Sequence, residues 1–315
     1  MKSERFTEND KMVIRGLCQQ PWANDREIAE AEKLKMSTVT ACKNRMKRDG
    51  VFKKAYFPVY YRLGYPLVSF SQLKMAKPSE VVLRALTKYR DNMPDKDNKS
   101  IVSFMVNDSL NAFVIAHHSE YTAFKDFEQT FDYNENWSHE LYTVEGAIKV
   151  VNFDYTNTLN RLFFPNHTES YKPLTMKIDL CRFSKIEKKV FEGLLANPEA
   201  VSNRIAKKIG VTRQSVIKIL RKLRMEGILE KNVVVDLGNI GIQIVSVIRF
   251  KAEKISNREI SEINRILEPF FYWIFDNNHI IIVGHEKYGD LISNLRREWF
   301  NQLNIQLFSI QNSIV

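Results

Sequence analysis

Two stretches of this 315-residue sequence hold side chains suited to gripping a polyanion. One is TRQSVIKILRKLR, which supplies Arg213, Gln214, Ser215, Lys218, Arg221 and Lys222, with Lys231 shortly beyond. The other is KMSTVTACKNRMKR, which supplies Lys35, Ser37, Thr38, Lys43, Asn44 and Arg45, with Lys53 following. A guanidinium pairs bidentately with guanine, a Gln amide pairs with adenine, and ammonium groups neutralise phosphates. The chemistry such a set offers is reading of double-stranded DNA. A second candidate is smaller: His118 with Tyr121, and His285 with Tyr288, repeat one His-x-x-Tyr spacing where a strand enters a helix. That spacing marks a possible small-molecule pocket, against the plainer explanation of capping and packing.

Other chemistry finds little support. His117 and His118 are adjacent, and neighbours on a strand point to opposite faces, so they are poorly placed to share a metal. No glycine-rich phosphate loop, nucleophile elbow or spaced metal-ligand set is present. Cys18, Cys42 and Cys181 lie far apart without a Cys-x-x-Cys pair, which argues against a disulfide scaffold. The expectation is a chain that is not an enzyme and needs no cofactor.

The basic side chains need a scaffold, and the pattern around them supplies one. In the later stretch, residues 184–196 place Ile186, Val190, Phe191 and Leu194 at helical spacing, and a short second helix is expected over 201–209. Gly210 ends it, Thr212 is placed to cap a third helix, and Gly227 stops that helix. On the third helix Val216, Ile219, Leu220 and Leu223 share one face, leaving the cations on the others. Helix, glycine turn, helix is a helix-turn-helix signature. Residues 228–236 read as two short extended pieces, the place for a β wing. The earlier stretch repeats this with helices over 25–32 and 37–48, but Lys43 takes the slot of Leu220 and Lys35 that of Thr212. Weaker DNA reading is expected there; the alternative is that Lys43 packs its stem and offers its head to phosphate.

The repetition extends along the chain. Phe6 falls on Phe183 at an offset of 177, and the register holds through Pro21/Pro198, Gly50/Gly227 and Gly64/Gly241. Further on, His118 and Tyr121 fall on His285 and Tyr288 at an offset of 167, so about ten residues are extra in the first copy, assigned to the polar loop DNMPDKDNK. After each basic segment the pattern reads β-α-β-β-α-β, a ferredoxin-like order. In the first copy the helices are expected over 79–89 and 121–131 and the last strand over 140–151; in the second copy the helices are expected over 257–267 and 288–300.

The expected fold class is therefore α+β: two winged helix-turn-helix domains, each followed by a ferredoxin-like βαββαβ domain, the internal duplication forming a pseudo-dimer. The divisions are 1–60, 61–152, a linker over 153–180, 181–238 and 239–315.

Charge supports the division. Of a net +10, residues 1–56 hold 13 Lys/Arg against 8 Asp/Glu and residues 181–231 hold 13 against 5, leaving the remainder acidic. Discrete basic segments imply a polyanion partner for those segments. No apolar run approaches a membrane span and the N-terminal residues carry no signal-like apolar core, so a cytoplasmic protein without a membrane partner is expected.

The run SNRIAKKIGVTRQSVIKILRKLRMEGILEKNVVVDLGNIG resembles the Lrp/AsnC feast-or-famine transcription regulators. Gly227 and Gly241 fit that pattern, as do Gly50 and Gly64 in MKRDGVFKKAYFPVYYRLG. The resemblance implies a DNA-binding regulator whose α/β domains dimerise and take a small-molecule effector, with a homodimer possible on top of the internal pair. The duplication within one chain departs from the family plan. Two alternatives share the architecture: a siroheme decarboxylase acting on a tetrapyrrole in the α/β half, and a winged-helix scaffold that binds protein.

Overall fold

The computed structural model describes residues 6–74, 99–107, 111–129, 136–144, 147–151, 154–164, 183–198, 200, 202–251, 256–275, 277–287 and 304–309. In chain order its elements are α1 (Glu8–Gln19), α2 (Asp25–Ala31), α3 (Met36–Arg48), β1 (Phe52–Pro58), a 3-10 turn (Tyr60–Leu63), β2 (Leu67–Lys74), β3 (Ser100–Asn107), β4 (Asn111–His118), α4 (Tyr121–Gln129), β5 (Asn136–Thr143), β6 (Ala147–Val151) and α5 (Thr156–Phe163). They continue with α6 (Lys185–Ala196), α7 (Ser202–Ile209), α8 (Arg213–Met225), β7 (Leu229–Val235), β8 (Ile244–Lys251), α9 (Asn257–Leu267), β9 (Phe271–Phe275), β10 (Asn278–His285) and β11 (Asn304–Ser309). The chain is a mixed α+β protein.

Two compact units partition it, and neither is continuous in sequence. One comprises Met1–Lys54, Ala147–Thr175 and Lys231–Gln311; the other comprises Ala55–Gly146, Met176–Glu230 and Asn312–Val315. Two of the boundaries between them fall within β1 and β7, and these strands form a two-stranded sheet.

In the first unit, α1 to α3 form a trihelical module around Val13, Ile14, Leu17, Ile28, Val39 and Met46, all buried. A five-stranded sheet of order β11-β8-β10-β9-β6 accompanies it. Ile263 and Leu267 of α9 pack into a core with Ile248, Phe250, Tyr272, Ile274, Ile281 and Val283. Helix α5 bridges module and sheet: Phe163 packs on Phe6 at 5.8 Å and the Arg15 guanidinium lies 4.1 Å over Phe164. At its other end Tyr155 stacks on Phe270 at 5.1 Å, and the Thr158 hydroxyl donates to the Glu268 carbonyl. The segment expected as a linker thus contains a packed helix.

In the second unit, α6 to α8 enclose Val190, Phe191, Leu194, Ile205, Ala206, Val216 and Leu223. Its four-stranded sheet has the order β3-β4-β2-β5, with α4 contributing Ala123, Phe124 and Phe127 to the buried interior.

Several expectations need correction. Ile186, placed on the inward face of α6, is 50% exposed. The stretch 228–236 is one strand rather than two pieces: no Gly or Pro interrupts Leu229–Val235, so nothing closes a hairpin within it, and β7 pairs with β1 instead. The run 140–151 is also not one strand, since β5 edges the four-stranded sheet while β6 pairs with β9 in the five-stranded one. The expected helices over 79–89 and 288–300 and the loop at 91–98 lie outside the described residues.

Candidate nucleic-acid interface

Helix α8 is oriented by its apolar face. Val216 and Leu223 are fully buried and Ile219 and Leu220 pack against the same core, which turns Arg213, Gln214, Lys218 and Arg221 outward. Thr212 caps the helix, its hydroxyl accepting from the Ser215 backbone N–H at 3.1 Å, so Ser215 belongs to the cap as well as to the candidate surface. The turn before it holds Gly210 at φ +79°, a left-handed conformation that glycine adopts without steric cost. The far end of α8 is held by the Arg62 guanidinium, which donates to the Glu226 carbonyl.

Among the described residues, Arg213, Gln214, Lys218 and Arg221 have no side-chain ion pair or hydrogen bond. Lys222 differs: its ammonium reaches Glu187 Oε1 at 2.7 Å. Glu187 is also the capping-box residue of α6, taking the Ser184 backbone N–H at 2.8 Å. The Lys222 bond, with help from the Ser184 N–H, holds the Glu187 carboxyl down at about 2. Lys231 lies 5.4 Å over the Trp22 ring. Helix α7 adds exposed Arg204, Lys207 and Lys208 with no acidic residue in Ser202–Ile209. These three were missed as candidates, although their contribution to the segment's charge was visible.

Helix α3 presents a different surface. Its N-cap, Lys35, makes no side-chain capping bond. Lys43 pairs with Asp25 of α2, and Thr40 donates to the same carboxylate at 2.8 Å. The head of Lys43, expected to reach for phosphate, is turned onto an internal acid. Arg45 grips Asp10 of α1 at 2.5 and 2.6 Å. Burial works against the charged forms of both Asp10 and Asp25, but the bonds from Arg45 and Thr7, and from Lys43 and Thr40, outweigh it and hold both carboxyls below the usual range. Lys35, Ser37, Asn44 and Lys53 remain exposed and Thr38 is half-buried. Met36, standing where α8 has Arg213, is 56% exposed.

In the first His-x-x-Tyr pair the two side chains lie in different environments. His118 is fully buried, with Ser69 and Ser100 hydroxyls each 2.8 Å from one ring nitrogen. Ser100 gives its own proton to the Ala123 carbonyl, so it accepts from Nδ1–H, and Ser69 donates to Nε2. Burial pushes the imidazole down to about 3, and it stays neutral. Tyr121 is 56% exposed and points elsewhere. His285 is likewise buried with the Ser246 hydroxyl 2.7 Å from Nε2, while Tyr288 lies outside the described residues. His117, on the opposite face of β4, stacks on Tyr60 at 4.7 Å.

With this geometry in view, residues 181–234 match the family described as sugar-specific transcriptional regulator TrmB, a stretch that spans α6 to α8 and nearly all of β7. No curated protein matches. Among solved structures, the siroheme decarboxylase NirDL is similar at 14% identity over 96% of this chain and 91% of that one, with a TM-score of 0.48. An AsnC family transcriptional regulator from Agrobacterium tumefaciens is similar at 9% identity over 40% of this chain and 89% of that one (TM-score 0.34). LrpC of B. subtilis is similar at 14% identity over 44% and 94% (TM-score 0.36). The expectation that the chain is not an enzyme is corrected by the first of these, an enzyme that aligns with nearly the whole chain. Among the described residues no helix is long and apolar enough to cross a membrane.

Proposed function

We propose that the chain is a cytoplasmic, sequence-specific DNA-binding transcription regulator whose main contact with double-stranded DNA is α8. The observation that carries this reading is the exposed set Arg213, Gln214, Lys218 and Arg221 on a capped helix that follows a tight turn, within the stretch matched by a transcription-regulator family. An α-helix fits the major groove, its N-terminal side chains reach base edges, and flanking cations neutralise phosphates. Ser215, Lys222 and Lys231 support that surface, and Lys35, Ser37, Thr38, Lys43, Asn44, Arg45 and Lys53 form a weaker one in the first module.

The two modules are read as tandem copies, with divisions at 1–60, 61–152, 153–180, 181–238 and 239–315. Matching helix starts support this, since α1, α2 and α3 begin at Glu8, Asp25 and Met36 and α6, α7 and α8 begin 177 residues later. The strand orders agree as well, β5-β2-β4-β3 against β11-β8-β10-β9. A small-molecule effector and a further homodimer belong to the same proposal.

The test is binding to genomic DNA fragments, including the protein's own promoter, at two salt concentrations with competitor DNA. Tight, competitor-resistant binding that weakens steeply with salt is expected. Absence of selective binding, together with a shifted absorbance band on mixing with siroheme, would replace this reading with the tetrapyrrole one.

A further inference from the structure

We propose that Asp25 occupies the place of a DNA phosphate on the first recognition helix, a carboxylate built into the fold that keeps α3 from engaging duplex DNA. The inference rests on the reading of α8 as the DNA contact and deepens it, because it names the residue that makes the two modules unequal.

Asp25 stands at the start of α2 and faces α3. One carboxylate oxygen takes the Lys43 ammonium and the other takes the Thr40 hydroxyl at 2.8 Å, so both oxygens are held by side chains one turn apart on α3. An ammonium and a hydroxyl converging on two oxygens of one anion is also the arrangement that would receive a phosphate. The pair is within reach of water, with 24% of the Lys43 side chain and 22% of the Asp25 side chain exposed, so it lies at the surface of the module. The corresponding positions in the second module are Ser202, Ile217 and Leu220, which can form neither bond. There Arg213, Lys218 and Arg221 of α8 carry no such internal anion. In the first module a fixed negative charge both neutralises Lys43 and repels an approaching phosphate.

The experiment silences α8 with Arg213→Glu, Lys218→Glu and Arg221→Glu, so that the remaining affinity for a duplex reports on α3. Adding Asp25→Asn should restore binding, with the slope of log affinity against log salt steeper by about 0.9, or about three-fold more loss of affinity between 50 and 200 mM salt. Asp25→Ser, which installs the residue type of the second module, should do the same. Lys43→Met added to either should remove the gain. Glu30→Gln deletes the same charge from the same helix, but from an acid paired with Arg26 at 3.0 Å, and should give no comparable gain.

Unchanged affinity in both folded Asp25 variants, an equal gain from Glu30→Gln, or a gain that survives Lys43→Met would each overturn the role of Asp25. The unsilenced chain separates the two ideas. If it binds no duplex, the DNA reading falls; if it binds, loses binding on silencing, and Asp25→Asn still adds nothing, only the role of Asp25 falls.

Discussion

Helices α3 and α8 are each 13 residues long, each ends a trihelical module, and each is rich in Lys and Arg, yet they handle their charge in opposite ways. On α3, Lys43 and Arg45 are turned inward onto Asp25 and Asp10 of the helices beneath them. On α8 Lys222 is tied down in this manner, to Glu187, while Arg213, Lys218 and Arg221 face outward. One clamp is common to both: Asp10 and Glu187 each close a capping box at the start of a first helix and reach a cation on the third. The second clamp, through Asp25, exists in the first module alone. Similar composition can therefore produce a module that offers positive charge and one that consumes it internally; what decides is whether an acid on a neighbouring helix lies within reach.

The comparison can be broken in several ways. The largest effect should come from Arg213→Glu, Lys218→Glu and Arg221→Glu together, expected to weaken DNA binding on the order of 100-fold or more in a fluorescence titration. Matching changes at Lys35, Asn44 and Lys53 should cost less than about ten-fold; an equal loss would show that the modules are ranked wrongly. Asp10→Ala should destabilise the first module by about 2 kcal/mol in urea unfolding, because it removes a buried carboxylate that serves both the cap and Arg45.

Glu187→Gln should cost about 1 kcal/mol, since the Glu187 carboxylate is more open to solvent than that of Asp10, 15% against 3%. That effect has a pH signature. The folded-state value of Glu187 is depressed, so its contribution is fully present above its ordinary 4.5 and is lost as pH falls toward about 2. Melting temperatures across that window should therefore fall less in Glu187→Gln than in the parent.

The smallest effect lies in the turn. Lys33, which corresponds to Gly210, is held at φ +55°, so Lys33→Gly should stabilise the first module by about 0.5–1 kcal/mol.

Much of the local architecture was readable from the residues. The inward faces of α8 and the cap at Thr212 follow from helical spacing and a hydroxyl before an apolar periodic run, and the described strands fall where alternating apolar runs stood. What sequence could not give was partnership between distant segments. Nothing in Leu229–Val235 states that its neighbour is β1, and nothing in 140–151 states that its two halves join different sheets. The same limit applies to the candidate site. Lys43, Arg45 and Lys222 looked like surface cations, and only the packing of α1, α2 and α6 reveals the acids that hold them. Arg204, Lys207 and Lys208 lie on the second helix of the module, and their cations are plain in the sequence, but spacing alone does not tell whether that helix shares a surface with the third. For the first His-x-x-Tyr pair, the spacing does not show that the strand-to-helix junction buries His118 and exposes Tyr121.

The central claim is that α8 is the main contact with DNA and α3 the weaker one. The most direct test places a photo-crosslinking residue at position 214 in one variant and at its counterpart, position 37, in another, each bound to the same selected duplex at moderate salt. Strong crosslinking from 214 with little from 37 is the predicted result. Equal crosslinking from both, or crosslinking from 37 alone, would contradict the account.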